Sequence, residues 1–334
     1  MIVRLIRITF LLSLVVVLLG GWTRINYAGL GCPDWPGCYG ELVVPYSAQA
    51  ISAAQASYPD QPIDAYKAWL EMLHRYVAGL LGVLVLAIAV LYRRTRPENN
   101  TAIATLGPLP YLLLGVVIVQ ALFGMWTVTL QLTPAIVTAH LLGGLTTVTL
   151  LFLMQRRVSH GKPQSTHNKP RVLHLAALLL ITQLLLGGWT SANYAGWACD
   201  KLVQCNNLNH SLDFSTGFTI SYDPNTNYEG GTLPLEARAA IQMTHRAVGL
   251  VLIITLLAAA LQLRHSPSQA TRAWCCASIA VLQAIIGFSA SLLAVPLPLA
   301  MAHHIGAVAV LLSFLWLYLT PSTLSVREVR YAAA

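Results

Sequence analysis

The chain has 334 residues, of which 56% are hydrophobic and 10% charged, with 20 Lys and Arg against 12 Asp and Glu for a formal net charge of +8. A soluble domain carries about 25% charged residues, so this composition, with a mean hydropathy of +0.63, excludes an ordinary soluble domain and indicates an integral membrane protein. The positive charge does not mark a nucleic-acid binder: the basic residues sit in short segments between apolar runs, where they report topology.

The first apolar run covers about 6–23, within the roughly 17–25 residues a spanning helix needs, and Arg4 and Arg7 precede it. A basic start, an apolar middle and small residues after it would also suit a cleaved signal peptide. Against that reading, the stretch that closes the run, "GGWTRINYAGLGCPDWPGC" at 20–38, has a counterpart in mid-chain, "GGWTSANYAGWACDKLVQC" at 187–205. No Arg- and Ser-rich amphipathic extension precedes the run, so a bacterial membrane is expected rather than an organelle precursor. Further runs are expected at about 70–92, 107–129, 134–154, 171–190, 237–262, 271–294 and 298–319, eight in all, and irregular backbone is not viable in lipid, so each is a helix. "RRTR" at 93–96 follows the second run, "QRRVSHGKPQSTHNKPR" at 155–171 the fourth, Arg264 and Arg272 flank the loop after the sixth, and Arg327 and Arg330 follow the eighth. Fourteen of the 20 Lys and Arg fall on this side, which places it, with both termini, in the cytoplasm.

The duplication continues past the opening stretch. "EMLHRYVAG" at 71–79 matches "QMTHRAVGL" at 242–250, "QALFGMWT" at 120–127 matches "QAIIGFSA" at 283–290, and "TAHLLGG" at 138–144 matches "MAHHIGA" at 301–307. The expected fold is therefore an all-α integral membrane protein of eight transmembrane helices in two tandem four-helix bundles. Residues 1–154 form one half, 155–170 a cytoplasmic linker and 171–334 the other half. An even helix count sets both halves the same way up, as a pseudo-twofold parallel repeat.

Two external segments, about 24–69 and 191–236, carry Cys32 with Cys38 and Cys199 with Cys205. On an oxidising face each pair suits a disulfide; free thiols are the plain alternative, and zinc lacks four well-spaced ligands. Cys275 and Cys276 read as small buried apolar residues. His160, His167, His174 and His265 read as solvated, and His210 lies in the second external segment without an assigned role.

His74, His140, His245 and the adjacent pair His303/His304 stand near the starts of the second, fourth, sixth and eighth runs, at one depth and at matching repeat positions. An ionisable residue inside a membrane faces the protein interior with a partner. Two imidazoles per half, without carboxylate or thiolate companions, suit the two faces of a planar haem better than a bare metal ion. Gly79, Gly143, Gly144, Gly249 and Gly306 beside them would let a flat ring approach, or serve ordinary helix packing. His303 is preferred over His304 because a glycine follows it at the same interval as after His140. Arg75 and Arg246 each follow the first His of their half and suit a propionate carboxylate, or an interfacial snorkelling role. Glu71 lies one turn from His74 on the same face, where the second half has Gln242. An acid beside one site alone suits proton movement, or an interfacial carboxylate solvated by the outer loop and paired with Arg75.

These motifs, in order and spacing over nearly the whole chain, resemble those of the haem A synthases. The resemblance implies oxidation of a ring methyl of haem O to the formyl of haem A, in cytochrome oxidase assembly. It implies that His74 and His140 ligate the substrate haem, that His245 and His303 ligate a resident haem b, and that Glu71 is an essential acid. Its external Cys pairs match redox-active or structural pairs. Haem O synthase and an electron donor are the implied partners, the lipid bilayer the setting, and a homo-oligomer is compatible with it. The rival reading is a non-catalytic di-haem b electron carrier linked to quinol. It accounts for four histidines equally well but not for Glu71 against Gln242. A repeat-built transporter is a weaker rival, since it needs no histidine quartet.

Overall fold

The computed structural model describes residues 1–95, 101–161, 169–202, 205 and 211–320, the side chains of residues 101 and 102 excepted. Arg96, His167, His210, Arg327 and Arg330 lie outside the described residues, as does most of the expected linker.

Eight helices are long and apolar enough to cross a membrane. In chain order the helices are α1 (Ile2–Ile25), α2 (Ala48–Ser57), α3 (Ala65–Arg94), α4 (Thr101–Ala104), α5 (Leu109–Thr129), α6 (Pro134–His160), α7 (Arg171–Ala192), α8 (Phe214–Gly217), α9 (Leu235–Gln262), α10 (Pro267–Leu292) and α11 (Leu297–Tyr318). The short α2, α4 and α8 lie in the connections. Among the described residues the only β-pairing is a single bridge between Cys38 and Glu41.

Polar signals at the helix ends explain where the helices outrun their apolar runs. Asp64 caps α3 by accepting from Lys67 N at 3.1 Å, so the helix starts well before its hydrophobic stretch. Proline stands in the first turn of α5, α6, α10 and α11, where its missing N–H costs nothing. α6 continues to His160 and ends at Gly161 with φ +79°, so the first residues of the expected linker are helical.

Within the first half α1 packs on α3 and α6, α3 on α5, and α5 on α6; in the second, α7 packs on α9, α9 on α10, α10 on α11, and α11 on α7. The halves meet along α6–α7 and α1–α11. These two seams are repeat equivalents, because α1 and α7 open their halves while α6 and α11 close theirs. Tyr27 and Tyr194, which are repeat counterparts, stack on each other with ring centroids 5.5 Å apart. Arg24 spans the same junction, donating to Tyr194 Oη at 2.6 Å and Ser191 O at 2.5 Å.

Away from the disulfide-bearing loops each half is closed by an apolar cluster. Ile6, Val85, Ile88, Leu113, Leu151 and Met154 fill the first; Leu180, Leu256, Cys276, Ala277, Leu311 and Phe314 fill much of the second. Cys276 is thus buried as expected, but Cys275 faces outward from the bundle, because the two are adjacent on one helix and point in different directions. His160, His174 and His265 are exposed, in keeping with the sequence reading. The histidine-bearing turns lie at the other end, beneath the loops. The second loop also crosses to the first half: Tyr228 N donates to Gln131 O at 3.1 Å, and Glu229 approaches Lys67 at 3.9 Å.

Candidate functional site

Four imidazoles pair off, two in each half. His74 on α3 faces His140 on α6, ring centroids 6.5 Å apart and planes at 83°. His245 on α9 faces His303 on α11 at 6.4 Å and 79°. An imidazole nitrogen sits about 2.0–2.1 Å from a bound metal and about 1.1 Å in front of its ring centroid, so two imidazoles on opposite sides of one metal ion have centroids roughly 6.3 Å apart. Both pairs have that spacing. Among the described residues no cluster of three or more His, Cys, Asp or Glu is arranged for a metal, so what each half brings together is two imidazoles and no further first-row metal donor. This is the donor set of a haem iron held from both faces.

Nδ1 of His245 is buried without a hydrogen-bond partner, and an unpartnered buried polar atom costs about 1–3 kcal/mol; His74 and His140 stand against the backbone of Val16 and Gln120. His303 Nδ1 is 3.2 Å from Gln283 O, and Gln283 Nε2 donates to His303 O at 2.7 Å. His304 points elsewhere: its Nε2 is 3.0 Å from Val17 O on α1, in the other half.

Each facing ring is seated against a glycine of a neighbouring helix. A Cβ on Gly20 would stand 3.0 Å from His74 Cε1, on Gly124 3.4 Å from His140 Cε1, and on Gly187 3.3 Å from His245 Cε1; on Gly287 it would overlap the His303 ring. The glycines singled out in the sequence do something else. Gly143, Gly249 and Gly306 make room for Gln120, Gln183 and Gln283, Gly144 meets Val17, and a Cβ on Gly79 would meet nothing. The seating glycines were present in the repeat, at Gly20/Gly187 and Gly124/Gly287, but helix-to-helix adjacency is needed to see what they face.

Glu71 is buried. Its Oε1 accepts from Arg75 Nη2 at 2.6 Å and its Oε2 from the backbone N–H of Cys32 at 2.9 Å. In the second half Gln242 Oε1 accepts from Cys199 N at 2.7 Å, so the amide occupies the slot of the carboxylate. What balances the two differs. Gln242 Nε2 donates to Gly196 O and to Ser291 Oγ at 2.6 Å, and Arg246 Nη2 also reaches Ser291 Oγ at 2.7 Å. A hydroxyl thus bridges amide and guanidinium where the first half has a direct ion pair.

Both arginines clamp loops. Arg75 donates to Asp34 O at 3.0 Å, Pro36 O at 3.2 Å and Gly37 O. Arg246 donates to Cys199 O, Lys201 O and Leu202 O. Their terminal amino groups are therefore engaged by carbonyls, and a propionate would have to share or displace one of these bonds. Disulfides join Cys32 to Cys38 and Cys199 to Cys205. The first loop is further pinned by Asp34, whose carboxylate accepts from Tyr39 N at 2.7 Å and Gly40 N at 2.8 Å. Burial, helped by Asp34, Asp64 and Glu71, pushes the Tyr39 phenol above its ordinary value of 10.0.

Gln183, a polar residue in the apolar run of α7, escaped the sequence reading. Its Nε2 lies 3.3 Å from His245 Nε2, while the matching position on α1 is Val16. An intramembrane amide without a counterpart was the available signal.

Eight spanning helices with a facing imidazole pair in each half define a multi-pass helical membrane protein with twinned histidine pairs. A family model described as cytochrome oxidase assembly protein matches residues 3–315, and the chain belongs to that family. It is 37% identical over 323 residues to the haem A synthase of Shewanella oneidensis, covering 93% of this chain and 96% of the relative. It is 26% identical to that of Caulobacter vibrioides, covering 90% and 91%, and 25% identical to that of Bacillus licheniformis, covering 89% and 88%.

Proposed function

We propose that this protein is a haem A synthase, a membrane oxidoreductase that oxidises a methyl group of haem O to the formyl group of haem A for cytochrome oxidase. The observation that carries the reading is an asymmetry within a repeat. Both halves present a facing imidazole pair at one spacing, yet only the first sets a buried carboxylate, Glu71, on the same helix one turn away. A pure electron carrier has no use for that difference. The likeness to named haem A synthases over nine-tenths of the chain supports the same conclusion.

In this reading His74 and His140 hold the substrate haem, and His245 and His303 hold a resident haem b, which when bound supplies one-electron chemistry. The protein's part is position and charge. Gly20, Gly124, Gly187 and Gly287 keep the four rings at their seats. Glu71, fixed between Arg75 and the Cys32 N–H, presents negative charge to the first site and exchanges protons there as the methyl is oxidised. Gln183 stands against His245 Nε2, a contact the first half lacks, and leaves Nδ1 as the unpartnered nitrogen of that ring. Arg75 and Arg246 hold the two disulfide loops over the sites and meet a propionate at the rim. The disulfide end faces the oxidising side, and both termini face the cytoplasm of a bacterial inner membrane. Haem O synthase supplies the substrate; methyl to formyl is an oxidation that gains an oxygen atom, so the reading takes dioxygen as the oxidant, reduced with electrons from a separate donor.

The test is pigment analysis of the purified protein. Haem b together with haem O or A is expected. Two unmodified haems b, with no modified haem in cells that supply haem O, would favour the electron carrier instead.

A further inference from the structure

Among the described histidines at the loop end of the spanning helices, His304 is the one the proposed chemistry leaves unused. Its counterpart in the first half is Leu141, and the two make equivalent contacts across the equivalent seams. Leu141 packs over Gly188 of α7, where a Cβ would stand 3.2 Å from Leu141 Cδ2; His304 packs over Gly21 of α1, where a Cβ would overlap the ring. The apolar contact at one seam is thus a polar one at the other. Val17 O can only accept, so His304 Nε2 carries the proton and donates across the halves at 3.0 Å. The carbonyl sits one helical turn before Gly21, so the same turn that gives up a side chain offers the acceptor.

The neighbours of this bond make it consequential. His303, the preceding residue, faces His245. On α1, Gly20 adjoins Gly21 and seats His74. One side-chain hydrogen bond therefore joins the helix that presents a ligand of the second site to the helix that backs a ligand of the first. The other seam, α6–α7, holds Leu141, Thr138 and Gly188 in van der Waals contact.

We infer that His304 is a positioning residue that locks α11 to α1 and so couples the geometry of the two histidine pairs. It is read as a positioning residue and not a ligand, since His303 faces His245 while the His304 ring packs on Gly21 of α1. The inference rests on the two-haem reading for its pigment measurement but not for its distance measurement. The experiment uses the full chain in detergent or nanodiscs, with spin labels on α1 and α11, and compares wild type with His304→Leu, His304→Gln and Gly21→Ala. His304→Leu places the counterpart's side chain at the seam, so the fold has a precedent for it; His304→Gln restores an N–H donor.

The expected result is a narrow α1–α11 distance in wild type, broadened in His304→Leu and Gly21→Ala, and narrow again in His304→Gln. In pigment, His304→Leu should keep its second-half haem b while holding first-half haem about fivefold more weakly, the equivalent of one net hydrogen bond. An unchanged distance distribution in His304→Leu overturns the inference, whatever the pigment. Loss of haem b itself with an unchanged distance would make His304 a ligand and overturn it also. A colourless wild type with the expected distance changes would refute the haem reading and leave the seam assignment standing.

Discussion

Glu71 and Gln242 accept the equivalent backbone N–H, from Cys32 and Cys199, but their second polar atoms differ: Glu71 accepts from Arg75, whereas the Gln242 amide donates to Gly196 O and Ser291 Oγ. Glu71→Gln therefore removes the charge and the Arg75 acceptor while keeping the loop contact that the second half shows a glutamine can make. The variant should fold and bind haem normally. Conversion of haem O should fall by about 10²–10⁴, the range of a positioned acid–base group, with unoxidised or half-oxidised haem accumulating in extracts. Normal haem A from this variant would remove Glu71 from the chemistry. Glycine seats offer a second test at this scale. Alanine favours a helix over glycine by about 0.5–1 kcal/mol, yet a methyl at these positions meets an imidazole. Gly287→Ala should cost most bound haem, Gly20→Ala less and Gly124→Ala least, following the room at each seat, as read from Soret absorbance per protein. Equal retention in all three would mean that the rings are free to move. At this scale the recurrence of the histidines, the facing of His303 and His245, and the Glu71–Gln242 contrast were legible, since each shows on laying one half over the other; which of them hold haem is the proposal. Ser291, Gln183 and the seating glycines were not, because what they touch lies on a helix distant in sequence.

The spanning helices were legible as elements because a bilayer demands long apolar runs. Their ends were less so, because caps and polar helix-formers extend α3 and α6 beyond the apolar stretch and hydropathy does not register them. The short loop helices α2 and α8 went unread for the same reason. α8 supplies a pH test. Asp213 caps it by accepting from Thr216 N at 3.0 Å. Hydrogen bonds from Thr216 and Ser215 hold its carboxyl at about 2, below the ordinary 3.8. A depressed carboxyl stabilises the fold fully above its unfolded value and loses that contribution as pH falls toward the folded one. Protection of the Thr216 amide should therefore be flat from neutral pH to about 4 and decline from there toward 2; Asp213→Asn should abolish the slope. Topology is the other prediction for the elements. A membrane-impermeant thiol reagent should reach cysteines placed at the exposed Leu42 or Tyr46 from outside intact cells, and cysteines near Arg93 and Arg94 only after the membrane is opened. The reverse pattern would invert the assigned orientation.

For the whole molecule, duplication explains what simple symmetry would not. Two bundles with the same glycine seats and arginine clamps set facing imidazole pairs, joined at seams that are equivalents of one another. Departures from equivalence then mark divided labour: a carboxylate in one half, an amide beside the ligand in the other, and a histidine at one seam only. The direct measurement of this account is the low-spin haem spectrum of purified wild type beside the four single variants His74→Ala, His140→Ala, His245→Ala and His303→Ala. The account predicts two bis-imidazole signals in wild type. The first two variants should lose one signal together with haem O or A, and the last two the other signal together with haem b. A wild type without haem, or variants that all keep both signals, would contradict it.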